Sequence, residues 1–264
     1  MTTKVSAVYI HIPFCRHKCF YCDFNTYALQ GQPVDEYLQA LEREMRLTVE
    51  SAPPGTIETI FIGGGTPTVL TTKQMEKLLA LIQRYFPKRS ERLEFSVEAN
   101  PGTVEADKLD VMVDGGVNRI SMGAQSFDDR LLKRLGRIHD ARTVYDSVAA
   151  ARRAGLLNLS IDLMFNLPEQ TMEQLQASVD AALSLQLPHY SLYSLKIEEN
   201  TPFHIWYEKG DLVLPDEDLE LAMYEHIIER MSECGYKHYE ISNFAVPGFE
   251  SRHNQTYWKN ESYY

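Results

Sequence analysis

The chain has 264 residues, 44% hydrophobic and 24% charged, the balance of a globular protein long enough for one large domain or two small ones. Its net charge is −11, from 37 acidic and 26 basic residues, which argues against nucleic acid as a partner, and no polybasic segment marks an anionic membrane surface. No apolar run approaches the roughly eighteen residues of a membrane span. With four cysteines and no export signal in residues 1–4, reduced thiols in the cytoplasm are expected rather than a disulfide framework.

In chain order, residues 5–10 form a first strand-sized apolar run. Directly after it come Cys15, Cys19 and Cys22, spaced Cys-x3-Cys-x2-Cys. Thiolates are soft, anionic donors suited to iron–sulfur chemistry. Three of them can hold three irons of a [4Fe–4S] cluster and leave the fourth iron to water, substrate or cofactor, whereas a closed structural site supplies its own fourth ligand. A zinc knuckle completed by His11 or His17 is the other reading of the same spacing.

Val34, Leu38, Leu41, Met45 and Val49 then share one helical face. A strand over 57–62 leads into Gly63-Gly-Gly-Thr66, where residues without Cβ let backbone approach a ligand; by itself that is equally a tight turn. Further strands are expected over 93–97, 119–122, 159–164 and 189–195. Helices lie between them, two opened by capping boxes at Thr71/Gln74 and Thr171/Gln174. Six strand–helix alternations predict an α/β fold with a parallel sheet covered by helices. Polar or special residues recur at the carboxyl ends of the strands: Cys15, the Gly63-Gly-Gly-Thr66 run, Glu98, Gln125 and Asp162. That is the pattern of a partial (β/α)6 TIM-like barrel. Past Leu195 the pattern changes. Asp216 opens a helix with Leu221, Tyr224, Ile228 and Met231 on one face, an aromatic strand follows over 236–241, and a polar-aromatic tail ends the chain. Cys234 is expected to be a small buried group, with Gly235 as the left-handed helix cap. The division is therefore a barrel over 1–200 and the start of a C-terminal α+β extension over 201–264.

These blocks together resemble the radical S-adenosylmethionine (SAM) superfamily, and within it the branch of oxygen-independent coproporphyrinogen III oxidase and HemW. The resemblance rests on Tyr9-Ile-His-Ile-Pro-Phe-Cys15, Gly63-Gly-Gly-Thr-Pro-Thr68, Val97-Glu-Ala-Asn-Pro101, Ser121-Met-Gly-Ala-Gln-Ser-Phe127, Gly136-Arg137 and Asp162-Leu-Met-Phe-Asn-Leu-Pro168. It implies a radical SAM-type barrel in which Cys15, Cys19 and Cys22 ligate the cluster and SAM fills the open iron. It also implies that Tyr9 and Tyr21 flank the cluster, with Tyr21 available to adenine, and that Gly64, Gly65 and Thr66 line the methionine end of SAM. Glu98, Gln125, Arg137 and Asp162 become contacts to SAM or a second ligand; for Arg137 and Asp162 the alternative is plain surface or strand-end pairing.

Two functions compete under that resemblance. One is radical decarboxylation of the propionates of coproporphyrinogen III. The other is a heme chaperone that binds heme and passes it to an acceptor, with a reductant for the cluster and an acceptor that can lie at a membrane. Phe24 stands where the oxidase pattern carries a further cysteine. The first strand begins too near Met1 for the oxidase's N-terminal extension. His253-Asn-Gln-Thr-Tyr-Trp258 matches the His-Asn-x-x-Tyr-Trp motif linked to heme binding, with imidazole as an iron ligand and flat aromatic neighbours. His253 is equally an ordinary hydrogen-bonded loop histidine, and His204, beside Trp206, is an outside candidate. The balance favours the chaperone. The chain stops at Tyr264, inside the region where the family continues into a further domain. The extension is therefore expected to be incomplete, with a poorly ordered end that weakens heme retention.

Overall fold

The computed structural model describes residues 5–264; residues 1–4, where no export signal was expected, lie outside it. Strand β1 (Ala7–Ile12) runs through Pro13 into the short β2 (Phe14–Cys15), which pairs in parallel with β3 (Tyr27–Ala28) across the cysteine loop. There follow α1 (Val34–Ser51), β4 (Ile57–Gly64), α2 (Thr72–Tyr85), β5 (Arg89–Ala99), α3 (Ala106–Asp114) and β6 (Arg119–Gln125). Next come α4 (Asp129–Arg134), α5 (Ala141–Arg153), β7 (Asn158–Phe165), α6 (Met172–Ser184) and β8 (His189–Ser194). The last elements are α7 (Pro202–Glu208), α8 (Glu217–Glu233), β9 (Lys237–Glu240), β10 (Asn243–Ala245) and α9 (Arg252–Trp258).

The sheet order is β1-β4-β5-β6-β7-β8-β10-β9; the first six strands are parallel, and β10 and β9 add antiparallel to the β8 edge. This is a partial α/β barrel, as the alternation predicts. Every other residue of the parallel strands (Val8, Ile10, Ile62, Phe95, Val97, Ile120, Ile161) packs into one core with the helices. Intervening positions carry polar groups, among them Glu94, Ser96, Glu98, Arg119, Ser121, Ser160 and Asp162. The strands are buried on both faces, but only one face is apolar. Both capping boxes form, at Thr71/Gln74 and Thr171/Gln174.

Four features depart from the pattern-based expectation. Helices α3 and α5 fill the expected connections, Asp140 capping α5 with Val144, Val148 and Ala151 buried, but α4 and α7 are additional helices. Strand β10 arises because the chain turns back after Glu240. Cys234 is exposed, not buried, since it caps the C-terminus of α8 and points out of the core; Gly235 does take a left-handed φ of 83°. The tail is docked rather than loose. Tyr264 N–H donates to the Ala7 carbonyl at 3.0 Å and Tyr9 N–H donates to the Tyr264 carbonyl at 2.9 Å, which adds one residue in parallel to the open β1 edge. Residues beyond 200 share the barrel's core through Met223, Ile227, Met231 and Phe244.

Candidate cofactor site

The cysteine loop is held by backbone from three sides. Gly65 N–H donates to the Ile12 carbonyl (2.9 Å) and Thr66 N–H to the Phe14 carbonyl (2.8 Å), so the glycine turn after β4 lies directly against the start of the loop. Phe20 N–H donates to the Leu135 carbonyl (3.1 Å), and Phe203 N–H donates to the Phe20 carbonyl (3.0 Å). Beneath the loop, Phe20, Tyr21 and Trp206 pack on a satellite core of Leu131, Leu135, Leu167, Leu195, Phe203 and Leu212. The glycines are needed for this approach. A Cβ on Gly65 would lie 2.7 Å from the Phe14 carbonyl oxygen and 3.0 Å from Cys15 Sγ. One on Gly64, whose φ is 111°, would strike the His11 ring at 2.5 Å.

All three loop cysteines are free thiols. Burial pushes Cys15 and Cys22 up, against a hydrogen bond that Thr66 Oγ1 donates to Cys15 Sγ at 3.6 Å; Arg137 Nη1 donates to Cys19 Sγ at 3.4 Å. His11, a possible zinc ligand by spacing, is committed elsewhere: Nδ1 shares a hydrogen bond with the Tyr9 hydroxyl (2.8 Å) and Nε2 faces the Asn25 carbonyl (3.0 Å).

Beside Cys22 opens a cavity of about 800 Å³, within the range of small-molecule and cofactor sites. Tyr21, Glu98, Gln125 and Asp162 line it, with an apolar wall that includes Met164, Leu192 and Tyr224. Gln125 reaches it because β6 bulges between Gly123 and Gln125, which puts Gln125 at a φ of 68°. The two carboxyls are perturbed. Glu98 accepts from Gly64 N–H at 2.9 Å, yet burial, aided by the nearby Asp162 charge, pushes it up to about 8. Burial likewise raises Asp162, against hydrogen bonds from Ser121 (3.0 Å) and Ser191. Buried carboxyls of raised pKa in a cleft are poised to meet a positive charge.

Several residues expected at the ligand make contacts with the loop itself. The Arg137 guanidinium is taken up by Cys19 Sγ, by Asn100 Oδ1 (2.6 Å) and by the Gly123 carbonyl, so it braces a cysteine. Thr66, 1% exposed, is held between Cys15 and the Asn100 amide (2.7 Å). Tyr9 is stacked on Phe61 at 6.2 Å, with its hydroxyl on His11 Nδ1. Asn100, which bridges Thr66 and Arg137, was legible only as part of Val97-Glu-Ala-Asn-Pro101; no periodicity singles it out. Arg119 was missed as well. It is 2% exposed, with an unpaired Nε, among the polar groups of the barrel interior.

His253, expected as a heme ligand, is placed inside the fold. It is fully buried on α9; its Nδ1 shares a hydrogen bond with Thr59 Oγ1 and its Nε2 with the Tyr257 hydroxyl, both at 2.9 Å, and it stacks on Phe61 at 5.2 Å. Neither ring nitrogen is open to iron in this arrangement. Burial pushes the imidazole down to about 4, so it is neutral at ordinary pH. Glu94 anchors the helix, accepting from Arg252 N–H (2.9 Å), His253 N–H (3.0 Å) and Ser251 Oγ (3.5 Å). Arg252 also pairs with Glu58 at 2.7 Å. Tyr257 and Trp258 are 42% and 58% exposed, while the histidine is buried beneath Tyr257, edge to face with its ring at 5.1 Å. His204 lies on α7, within two residues of Trp206.

A three-cysteine loop after the first strand of a partial parallel barrel, set against a glycine turn and an acid-lined cavity, defines the class: the chain belongs to the radical SAM superfamily, matched over residues 9–182. Within that class it is a member of the HemW family. It is 50% identical over 260 residues to the heme chaperone HemW of Bacillus subtilis, covering 98% of this chain and 69% of that protein. It is 47% identical to the heme chaperone HemW of Lactococcus lactis, covering 100% of this chain and 68% of that one. Among solved structures it is similar to the radical SAM enzyme coproporphyrinogen III oxidase (HemN) of Escherichia coli. That match has a TM-score of 0.83 and 28% identity, over 94% of this chain and 57% of the oxidase.

Proposed function

We propose that this chain is a heme chaperone that holds a [4Fe–4S] cluster on Cys15, Cys19 and Cys22, binds SAM beside it, and hands heme to an acceptor protein in the cytoplasm. The observation that carries the reading is the 50% identity to a heme chaperone across nearly the whole chain. The residues present fit the cofactors. The cysteines are free and braced by hydrogen bonds from Thr66 and Arg137, and the open side of the loop faces the cavity with Glu98 and Asp162. When bound, cluster and SAM supply one-electron chemistry. The chain contributes the thiolates, the carboxyls that meet SAM's positive charges, and walls that exclude water.

Charge favours this reading over the oxidase. Asp23, Glu98, Asp162, Glu198, Glu217 and Glu220 line the cavity against Lys196 alone. Coproporphyrinogen carries propionates all round its ring, so in this cavity they would meet Asp23, Glu198, Glu217 and Glu220. Heme carries its propionates on one edge. Its apolar face can lie on Met164, Phe165, Leu192 and Leu221 while that edge stays in water. Phe24, 65% exposed at the cavity mouth, extends the apolar surface where the oxidase pattern has a cysteine.

The test is anaerobic reconstitution of the cluster, titration with hemin followed by absorption, and a parallel assay of coproporphyrinogen III turnover. Heme binding without turnover is expected. Turnover to protoporphyrinogen would overturn the proposal, and retention of the brown chromophore by a Cys15, Cys19 or Cys22→Ser variant would overturn the ligand assignment.

A further inference from the structure

The barrel interior holds a charge that has no partner. Alternate residues of β6 share its interior face, so Arg119, Ser121 and Gly123 follow one another along it. In register, Arg119 stands opposite Ser96 of β5, and Ser121 stands opposite Glu98. Asp162 of β7 stands opposite Gly123 and accepts from the Ser121 hydroxyl at 3.0 Å. Arg119 is therefore one interior position beneath both carboxyls of the cavity. It is 2% exposed and its Nε is unpaired, as is the Oγ of the fully buried Ser96. Among the described residues no carboxylate lies within ion-pair distance of its guanidinium.

A guanidinium keeps its proton, and a charge buried alone is costly, so compensation has to come from groups in the same low-dielectric space. Most of the ionisable groups there are neutral or engaged. Glu94 accepts three hydrogen bonds from the start of α9. Burial keeps His189 and His253 neutral, and the Arg119 charge adds to that effect. Burial also holds the phenols of Tyr9, Tyr21, Tyr193, Tyr239 and Tyr257 protonated. His11 bonds Tyr9 and faces the Asn25 carbonyl. The second cation near Asp162, Arg137, is taken up by Cys19, Asn100 and the Gly123 carbonyl. Cys22, Asp23, Lys196, Glu198, Glu217 and Glu220 line other parts of the cavity. Glu98 and Asp162 remain. Burial raises both, and the Arg119 charge draws both back down.

We propose that Arg119 is a positioning residue: a fixed counter-charge under the cavity floor that keeps negative charge on the Glu98–Asp162 pair, so that the pair is ready for a cationic ligand. That the cation is SAM rests on the reading above. Arg119 touches no ligand itself. It acts through the two carboxyls, and its permanent charge makes their readiness independent of what else occupies the cavity.

The first measurement is an infrared titration of the intact chain without SAM, following the carbonyl stretch of protonated carboxyls, with Glu98→Gln identifying the band. In the wild type that band should be lost as pH rises through about 8. In Arg119→Met its midpoint should rise by about one pH unit, a tenfold gain in proton affinity, whereas Arg119→Lys, which keeps a charge at the position, should stay within about threefold of the wild type. The second measurement is SAM binding to the reconstituted protein by calorimetry. Arg119→Met should weaken it about tenfold near neutral pH and converge on the wild type as pH rises past about 9, where the carboxyls ionise unaided. Because the methionine replaces an unpaired buried charge, this variant should also resist urea at least as well as the wild type. An unmoved band, an equal loss of SAM affinity at every pH, or an Arg119→Met chain that does not fold would overturn the role of Arg119. A moved band in a reconstituted protein that binds no SAM would instead overturn the cofactor reading and leave the counter-charge in place.

Discussion

Substituting His253 by alanine should destabilise the fold before it says anything about heme. The imidazole is fully buried between Thr59, Tyr257 and Phe61. Its removal loses two hydrogen bonds worth about 1 kcal/mol each, strands the hydroxyl of Thr59 (3% exposed) at about 1–3 kcal/mol, and forfeits the ring contact with Phe61. About 3–5 kcal/mol follows, against the 5–15 kcal/mol or so that holds a typical domain together. Urea unfolding followed by circular dichroism measures the loss, and Trp258, on the same helix, reports by fluorescence whether α9 comes away first. Thr59→Val with His253→Ala completes a double-mutant cycle, with a coupling of about 0.5–3 kcal/mol expected for residues in contact. A loss below about 1 kcal/mol, with no coupling, would refute the assignment of His253 as the latch of α9. If the latch is real, heme lost from His253→Ala is interpretable only at urea-free conditions where the variant is still folded.

The other predictions concern protons and space. His253 and His139 are both pushed down to about 4 by burial and His189 is also lowered, so each is neutral in the fold and takes up a proton on unfolding once the pH is below about 6.5. Their contribution to stability is complete above about 6.5 and disappears as pH falls toward 4, so stability measured by urea should decline over that window, with a shallower slope in His253→Ala; a flat profile would count against it. Glu98, raised to about 8, is protonated at neutral pH without a cation beside it. SAM binding by calorimetry should therefore tighten as pH rises through about 8, and Glu98→Gln should remove that dependence while leaving binding itself weaker; an unchanged pH profile in the variant would disprove the role. Gly65→Ala should lower iron content at least severalfold without unfolding the barrel, because the new methyl meets the fixed Phe14 carbonyl at 2.7 Å and Cys15 Sγ at 3.0 Å; full iron loading would show that the turn can yield.

Local signals carried much of the fold. The six parallel strands lie where β-branched runs place them, because a strand buried on both sides needs apolar side chains wherever it meets the helices. Both Thr–Gln capping boxes form, since their partners lie three residues apart and need no tertiary help. The cysteine triplet is equally local: one loop of eight residues holds all three thiols. Elsewhere the relevant partner is distant. Glu98 meets Gly64 across 34 positions, Arg137 meets Cys19 across 118, and Glu94 meets His253 across 159. No periodicity encodes such pairs. Arg137 read as a ligand contact because a motif names a residue but not the direction of its side chain.

The amino-acid sequence by itself determined the class of this protein: the alternation of strands and helices, the three cysteines, the glycine turn beside them and the HemW kinship are properties of the chain order. Tertiary structure alone decided how those parts are used. It turned Cys22 toward an acidic cavity, and it spent Arg137, Thr66 and Asn100 on bracing the loop. It also made His253 a buried latch, because a neutral imidazole can be buried once both nitrogens are matched to hydroxyls, those of Thr59 and Tyr257. Those outcomes depend on which side of a curved sheet each residue faces, and that is settled only when the strands pair in register.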